Sequence, residues 1–67
     1  MPTMKVKYDK LSDILIIRLN DAAVHESDED KSGVILDYAH DGSLVSIEIL
    51  DASHRTLQPS KVEYEAA

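Results

Sequence analysis

The chain has 67 residues, no cysteine, and 13 acidic against 7 basic residues, which gives a formal charge of −6 at neutral pH. This length allows one small domain, and the lack of cysteine excludes disulfides and thiolate metal sites. An acidic chain without clustered basic residues or aromatic stacking platforms is a poor match for nucleic acid or anionic membranes, which attract Lys and Arg.

The start of the chain, MPTMKVKYDK, has no apolar segment of the kind found in a secretory signal. The longest aliphatic run, ILII over 14–17, is far too short to span a bilayer. We therefore expect a cytoplasmic protein with a single domain over 1–67. Its core is expected at about 4–57, followed by a tail or a short extra strand at 58–67.

The first half of the chain alternates in a way that is typical of strands. Met4, Val6 and Tyr8 alternate with lysines, and the following run ILII is rich in β-branched residues. The segment DKLSD between them predicts a turn that includes Asp9 and Asp13, because Asp and Ser hydrogen-bond nearby backbone groups. The acidic segment VHESDED predicts an edge strand kept soluble by charge, and the alternative is a cation site or a docking patch for a basic partner.

The stretch VILDYAHDGSLVSIEI over 34–49 predicts a β-hairpin. Pairing Leu36 with Val45 leaves a loop at 39–42, where Gly42 supplies a left-handed backbone. Turn chemistry explains this loop, so its polar residues are expected to be exposed or to stabilise the turn. The candidate site residues at this hairpin end are Asp37, His40 and Asp41.

Both faces of the predicted sheet carry apolar residues. Those on the face opposite the predicted core would be exposed on a lone sheet, so the C-terminal segment or another copy of the chain must cover them. The predicted buried face consists of Leu15, Ile17, Leu36, Val45 and Ile47. The apolar residues of the opposite face are Ile14, Ile16, Ile35, Leu44 and Leu50.

The C-terminal segment predicts one short helix at 52–57. Asp51 or Ser53 can cap this helix, and Pro59 prevents its continuation. Leu57 is the apolar residue available to hold it against the sheet.

The sequence offers little that resembles a catalytic constellation. Its serines and three histidines form no nucleophile motif, and its two glycines form no phosphate-binding loop. Asp51 and His54 are candidate metal ligands, but their spacing matches no recognised metal motif. A single copy is also expected to lack a pocket of about 300 Å³. We therefore predict a protein that is not an enzyme and has no catalytic, cofactor or metal site.

The predicted architecture is mainly β, of the α+β class. It is an antiparallel β-meander of about five strands with a short C-terminal helix. The strands are expected near 3–8, 13–20, 23–29, 33–39 and 44–50, and the helix near 52–57.

The chain resembles a family through YD at 8–9, SDILIIRL at 12–19, the acidic segment at 24–30 and GVILDYAHDGSLVSIEILDAS at 33–53. On these motifs it is similar to the domain-of-unknown-function family 2283, whose members are small prokaryotic proteins. The resemblance covers about 4–54 and implies a β-meander with a short helix, but no established activity. The chain departs from the family pattern at Ala39, where an acidic residue is common, and at Ser46, where glycine is common.

Composition, patterning and resemblance favour a self-associating protein-interaction module, expected to form a homodimer. Some members of the family look like partners of small toxin-like proteins, which implies an antitoxin-like role beside a small basic protein. The alternative function is a small-ligand or metal-binding protein.

Overall fold

The computed structural model describes residues 4–67, which form one five-stranded antiparallel sheet. The mainly β prediction is confirmed, while position 3 of the first predicted strand lies outside the described residues. The strands are β1 (Lys5–Asp9), β2 (Ile14–Arg18), β3 (Glu26–Lys31), β4 (Val34–Tyr38) and β5 (Leu44–Ile49), followed by a 3₁₀ turn at Ala52–His54.

The spatial order of the strands is β1-β2-β5-β4-β3, so the prediction of a meander is wrong. In a meander β2 would pair with β3, but here β2 pairs with β5 and β3 lies at the far edge. The physical reason is the composition of these strands. The aliphatic β5 gains contacts on both sides in the centre of the sheet, whereas every residue of the acidic β3 is exposed.

The predicted helix at 52–57 is also wrong, and with it the α+β class. Among the described residues the chain has only the short 3₁₀ turn, and its N-cap, Asp51, makes no side-chain capping hydrogen bond. Leu57 is 99% exposed, so no apolar contact holds a longer helix against the sheet. The segment 58–67 contains no strand.

The register of the β4–β5 hairpin differs from the predicted one by two residues. Leu36 pairs with Ile47 rather than with Val45. A register shift between Asp37 and Tyr38 leaves Val45 as an extra residue in β5, which is the arrangement of a β-bulge. Because side chains alternate with a period of two, the slip keeps Leu36 and Ile47 on one face.

The cross-strand pairs sort the side chains onto two faces of the sheet. We call the aliphatic one the first face and the mixed one the second face. The first face carries Val6, Tyr8, Leu15, Ile17, Val34, Leu36, Ile47 and Ile49. The second face carries Ile14, Ile16, Ile35, Arg18, Asp37, Ser46 and Glu48.

Burial is low on the first face. Leu15, Ile17, Leu36 and Ile47 lie together there as predicted, but each is only half-buried. The fifth predicted core residue, Val45, is buried at the bulge. Ala52 in the 3₁₀ turn is the other buried apolar residue of the described chain. No helix of the described residues is long and apolar enough to cross a membrane.

Candidate functional site

A row of polar side chains crosses the second face near the end of the sheet at which β2 and β4 finish. The row takes one residue from each of the five strands, because their Cα atoms are paired in register. Two of its members, Asp37 and Ser46, are almost fully buried, at 3% and 2% exposure. A buried carboxylate on an open sheet is the most unusual feature of this face. In spatial order the row is Lys5, Arg18, Ser46, Asp37 and Ser27.

Asp37 lies at the centre of a hydrogen-bond network. Ser27 donates its hydroxyl to Oδ1 of Asp37 at 2.6 Å, and Ser46 donates its hydroxyl to Oδ2 at 2.6 Å. Each carboxylate oxygen therefore accepts a short bond from a neighbouring strand, one from β3 and one from β5. These bonds tie the edge strand to the centre of the sheet through side chains as well as through the backbone.

Glu48 and Arg18 complete the electrostatics of this network. Burial opposes ionisation of Asp37, but hydrogen bonds from Ser27, Ser46 and Glu48, with the charge of Arg18, outweigh it and lower the pKa of Asp37. The hydrogen bond to Asp37 raises the pKa of Glu48, and burial and the Asp37 charge act in the same direction. The opposite shifts mean that Glu48 keeps its proton to a higher pH than Asp37 does, and that protonated Glu48 donates to the ionised Asp37 carboxylate.

This arrangement can hold a proton, but it lacks the parts of a nucleophilic centre. The Ser27 and Ser46 hydroxyls donate to a carboxylate, whereas an activated serine donates to a base such as histidine. Arg18 donates from Nη2 to the Ala22 carbonyl at 2.8 Å, which links the β2–β3 connection to β2. The network therefore involves the four strands β2 to β5 and this connection.

The hairpin end does not bring together Asp37, His40 and Asp41. Asp41 accepts two hydrogen bonds from Ser43, from its backbone N–H at 3.0 Å and its hydroxyl at 2.7 Å, and these lower the pKa of Asp41. Gly42 has a φ of 87°, which confirms the predicted left-handed turn position. Asp41 therefore stabilises the turn, while Asp37 belongs to the network on the second face.

His40 is exposed, as expected, but it is not isolated. Its ring meets that of His25 edge to face, with 4.5 Å between the ring centroids. The two rings line an open depression of about 400 Å³ together with Glu26, Asp28 and Tyr38. The depression is open to solvent and is not an enclosed pocket, so the expectation that one copy lacks a pocket of about 300 Å³ stays a prediction.

Asp51 and His54 lie at the opposite end of the sheet, beside the β1–β2 turn. Asp9 accepts the backbone N–H groups of Leu11 and Ser12, so it belongs to that turn as predicted. Asp13 reaches beyond the turn, because it accepts the Tyr8 hydroxyl at 2.6 Å and both the backbone N–H and the hydroxyl of Ser53. The bonds from Tyr8 and Ser53 lower the pKa of Asp13.

Sequence reasoning missed the partners of Asp37, and the reason is the register. With Leu36 opposite Val45, Asp37 has no serine across from it on β5. With the two-residue slip it faces Ser46 directly, and Ser27 faces it from β3. Ser46 is also the position at which the chain departs from the resembled pattern. A useful signal was therefore present, namely polar residues inside otherwise aliphatic strands.

Comparison with known proteins identifies the family. No curated protein and no solved structure gives a significant match to the chain. The family model described as "Protein of unknown function (DUF2283)" matches residues 5–53, which include all five strands and reach into the 3₁₀ turn. This match covers well over half of the 67 residues, so the chain belongs to the DUF2283 family of proteins of unknown function.

Proposed function

We propose that this protein is a small self-associating interaction module in which a second copy covers the first face of the sheet. The observation that carries the proposal is the incomplete burial of the aliphatic side chains on that face. Seven of its eight apolar side chains are half-buried and Val6 is exposed. A sheet with an apolar face normally packs that face against another layer.

The surface area supports a missing layer. A compact monomer of 7.5 kDa is expected to expose about 4,250 Å², whereas this chain exposes 5314 Å². The excess of about 1,060 Å² is comparable with the roughly 800 Å² that each partner buries in a standard interface. The extended C-terminal segment supplies part of the excess, since nearly every residue after Ala52 is exposed.

The second face is a weaker candidate for the dimer interface. Ile14, Ile16 and Ile35 lie on it, but the charged groups of Arg18 and Glu48 lie among them. Desolvating such charges on association is costly unless they find partners. The first face carries no charged residue on β1, β2, β4 and β5, and its charged residues Asp28 and Lys31 lie on the edge strand β3. A two-fold pairing through the other four strands removes apolar surface with a smaller desolvation cost.

The acidic charge supports a basic protein as an additional partner. β3 is an edge strand with four exposed acidic residues, and the whole chain carries a charge of −6. Complementary charge accelerates association and selects partners. An antitoxin-like role beside a small basic protein is the specific form of this proposal, and a complex that forms at low salt and dissociates at high salt is its expected behaviour.

Sedimentation velocity between 1 and 100 μM in moderate salt tests self-association. The expected species has about twice the 7.5 kDa mass of the chain. Ile17→Lys places a charge on the first face and should yield a monomer. Ile16→Lys is the matched control, because the neighbouring residue lies on the second face, and it should remain dimeric.

Circular dichroism checks that both variants keep their strands. A 7.5 kDa monomer of the unmodified chain at 100 μM would overturn the proposal. Dissociation by Ile16→Lys and not by Ile17→Lys would instead place the interface on the second face.

A further inference from the structure

We infer that Asp13, Asp51 and His54 form a binding site for a divalent transition-metal ion such as Zn²⁺. The inference is independent of the proposed dimer. One carboxylate oxygen from each aspartate and one imidazole nitrogen lie within 4.8 Å of one another. Two carboxylates and one imidazole are a donor set that such ions accept, with water completing the coordination.

The three ligands come from segments that are far apart in sequence. Asp13 ends the β1–β2 turn, while Asp51 directly precedes the 3₁₀ turn after β5 and His54 is the last residue of that turn. Sequence spacing alone offered only Asp51 and His54. The third ligand is brought in by the fold, through the central position of β5 beside β2.

Hydrogen bonds fix the relative position of the two segments. Of the three proposed ligand side chains, only the Asp13 carboxylate accepts these bonds. The Ala52 N–H donates to the Asp13 carbonyl at 3.0 Å, and Ser53 donates its N–H and hydroxyl to the Asp13 carboxylate. Tyr8 donates to Oδ1 of the same carboxylate at 2.6 Å. Partners of this kind orient a ligating carboxylate in known metal sites.

The position of Asp51 is not explained by helix capping. It occupies the N-cap of the 3₁₀ turn, yet its side chain makes no capping hydrogen bond. Its carboxylate instead stands near that of Asp13, where the two negative charges repel each other. A bound cation would remove that repulsion.

The three ligands must move closer together to hold an ion. In tetrahedral coordination two Zn²⁺ ligands, each at about 2.0–2.2 Å, are about 3.3–3.6 Å apart. The 4.8 Å limit on the separation of the three ligand atoms is roughly 1.2–1.5 Å wider, and rotation of the exposed Asp51 and His54 side chains would have to close the difference. The adjacent cation, Arg55, is directed elsewhere, since it donates to the carbonyls of Ser32 and Leu50.

Such an ion would cross-link the β1–β2 turn to the segment that follows β5. The chain has no disulfide and only a small buried core, and metal ions stabilise small domains of this type. The imidazole ligand favours Zn²⁺ over Mg²⁺, which prefers oxygen ligands and keeps its waters.

The test is calorimetric titration of the chelator-treated full chain with Zn²⁺, together with its melting temperature. We expect one ion per chain, and a rise in melting temperature of roughly 5 °C or more at a hundredfold excess over the Kd. Asp51→Asn and His54→Gln should each weaken binding at least about tenfold. Both residues are exposed, so the metal-free melting temperatures should stay close to that of the unmodified chain.

The His25 and His40 pair at the other end of the sheet is the natural control. His25→Gln and His40→Gln should leave the Zn²⁺ affinity unchanged, and Mg²⁺ should give no comparable rise in melting temperature. The inference is overturned if Zn²⁺ at 1 mM (roughly the weak end of metal affinities) neither binds nor stabilises the chain. It is also overturned if the His25 or His40 variant loses binding while the Asp51 and His54 variants keep it.

Discussion

The two faces of this sheet differ in how the burial of their side chains relates to hydrophobicity. The first face is aliphatic, yet its side chains are only half-buried. The second face is mixed, yet it contains Asp37, which is 97% buried and fully hydrogen-bonded. Burial in this molecule therefore follows local hydrogen bonding as well as hydrophobicity.

The difference shows which parts of the fold are complete within one chain. On the second face each oxygen of the Asp37 carboxylate has its donor, and the described chain has no buried side-chain N or O without a hydrogen-bond partner. On the first face the aliphatic surface lacks the covering layer that would remove it from water. The stability change caused by a substitution should therefore depend on protein concentration for the first face and on pH for the second face.

The largest effect is expected for Ile47→Ala on the first face. If a second copy covers this face, the substitution should cost about 2–5 kcal/mol, because it removes buried methylenes and leaves a cavity. Urea unfolding at several protein concentrations measures the loss, which should increase as the concentration of the dimer rises.

Ile16→Ala is the matched control for Ile47→Ala. Both isoleucines are half-buried and lie in central strands, but Ile16 faces the other side. A smaller loss that does not depend on concentration is expected there. Equal losses for the two variants at every concentration would remove the distinction between the faces.

The strands themselves could be predicted from sequence, because period-two patterning and turn residues are local signals. The five segments and the positive φ of Gly42 follow from these signals. The order of the strands could not be predicted in the same way, since it depends on how β5 competes with β3 for the place beside β2. The bulge at Val45 is also non-local, and it hid the pairing of Asp37 with Ser46.

The site at the other end of the sheet illustrates the same limit. Asp51 and His54 were visible as a pair in one short segment, but Asp13 joins them only after β2 and β5 pair. The predicted cap at Asp51 failed because the helix it would start does not form. Local signals therefore located turns well, and long-range convergence of side chains needed the fold.

A second, smaller effect is expected for Glu48→Gln on the second face. The raised pKa of Glu48 means that its protonated form stabilises the fold below the ordinary glutamate range, about pH 4 to 5. That contribution is lost as the pH rises through the raised pKa. Glutamine keeps a donor for Asp37 at every pH, so the variant should be more stable than the unmodified chain at pH 7.

The pH dependence of stability separates the two carboxyl groups. Asp37 has a lowered pKa, so its contribution is present above the ordinary aspartate range and is lost as the pH falls through the lowered value. Unfolding by urea from pH 3 to pH 8 should show a decline above the acidic maximum in the unmodified chain and a flatter profile for Glu48→Gln. Identical profiles for the two proteins would show that protonated Glu48 does not donate to Asp37.

The smallest effect is expected for Leu57→Ser, which tests whether the chain covers its own first face. Leu57 is 99% exposed, and surface substitutions of this kind usually change stability by less than about 0.5 kcal/mol. If the C-terminal segment instead folded over the sheet in solution, Leu57 would be the natural residue to bury, and the loss would approach that of a core leucine. The melting temperature of the variant should therefore match that of the unmodified chain to within about 2–4 °C. A larger decrease, together with a monomer in sedimentation, would assign the cover of the first face to the C-terminal segment rather than to a second copy.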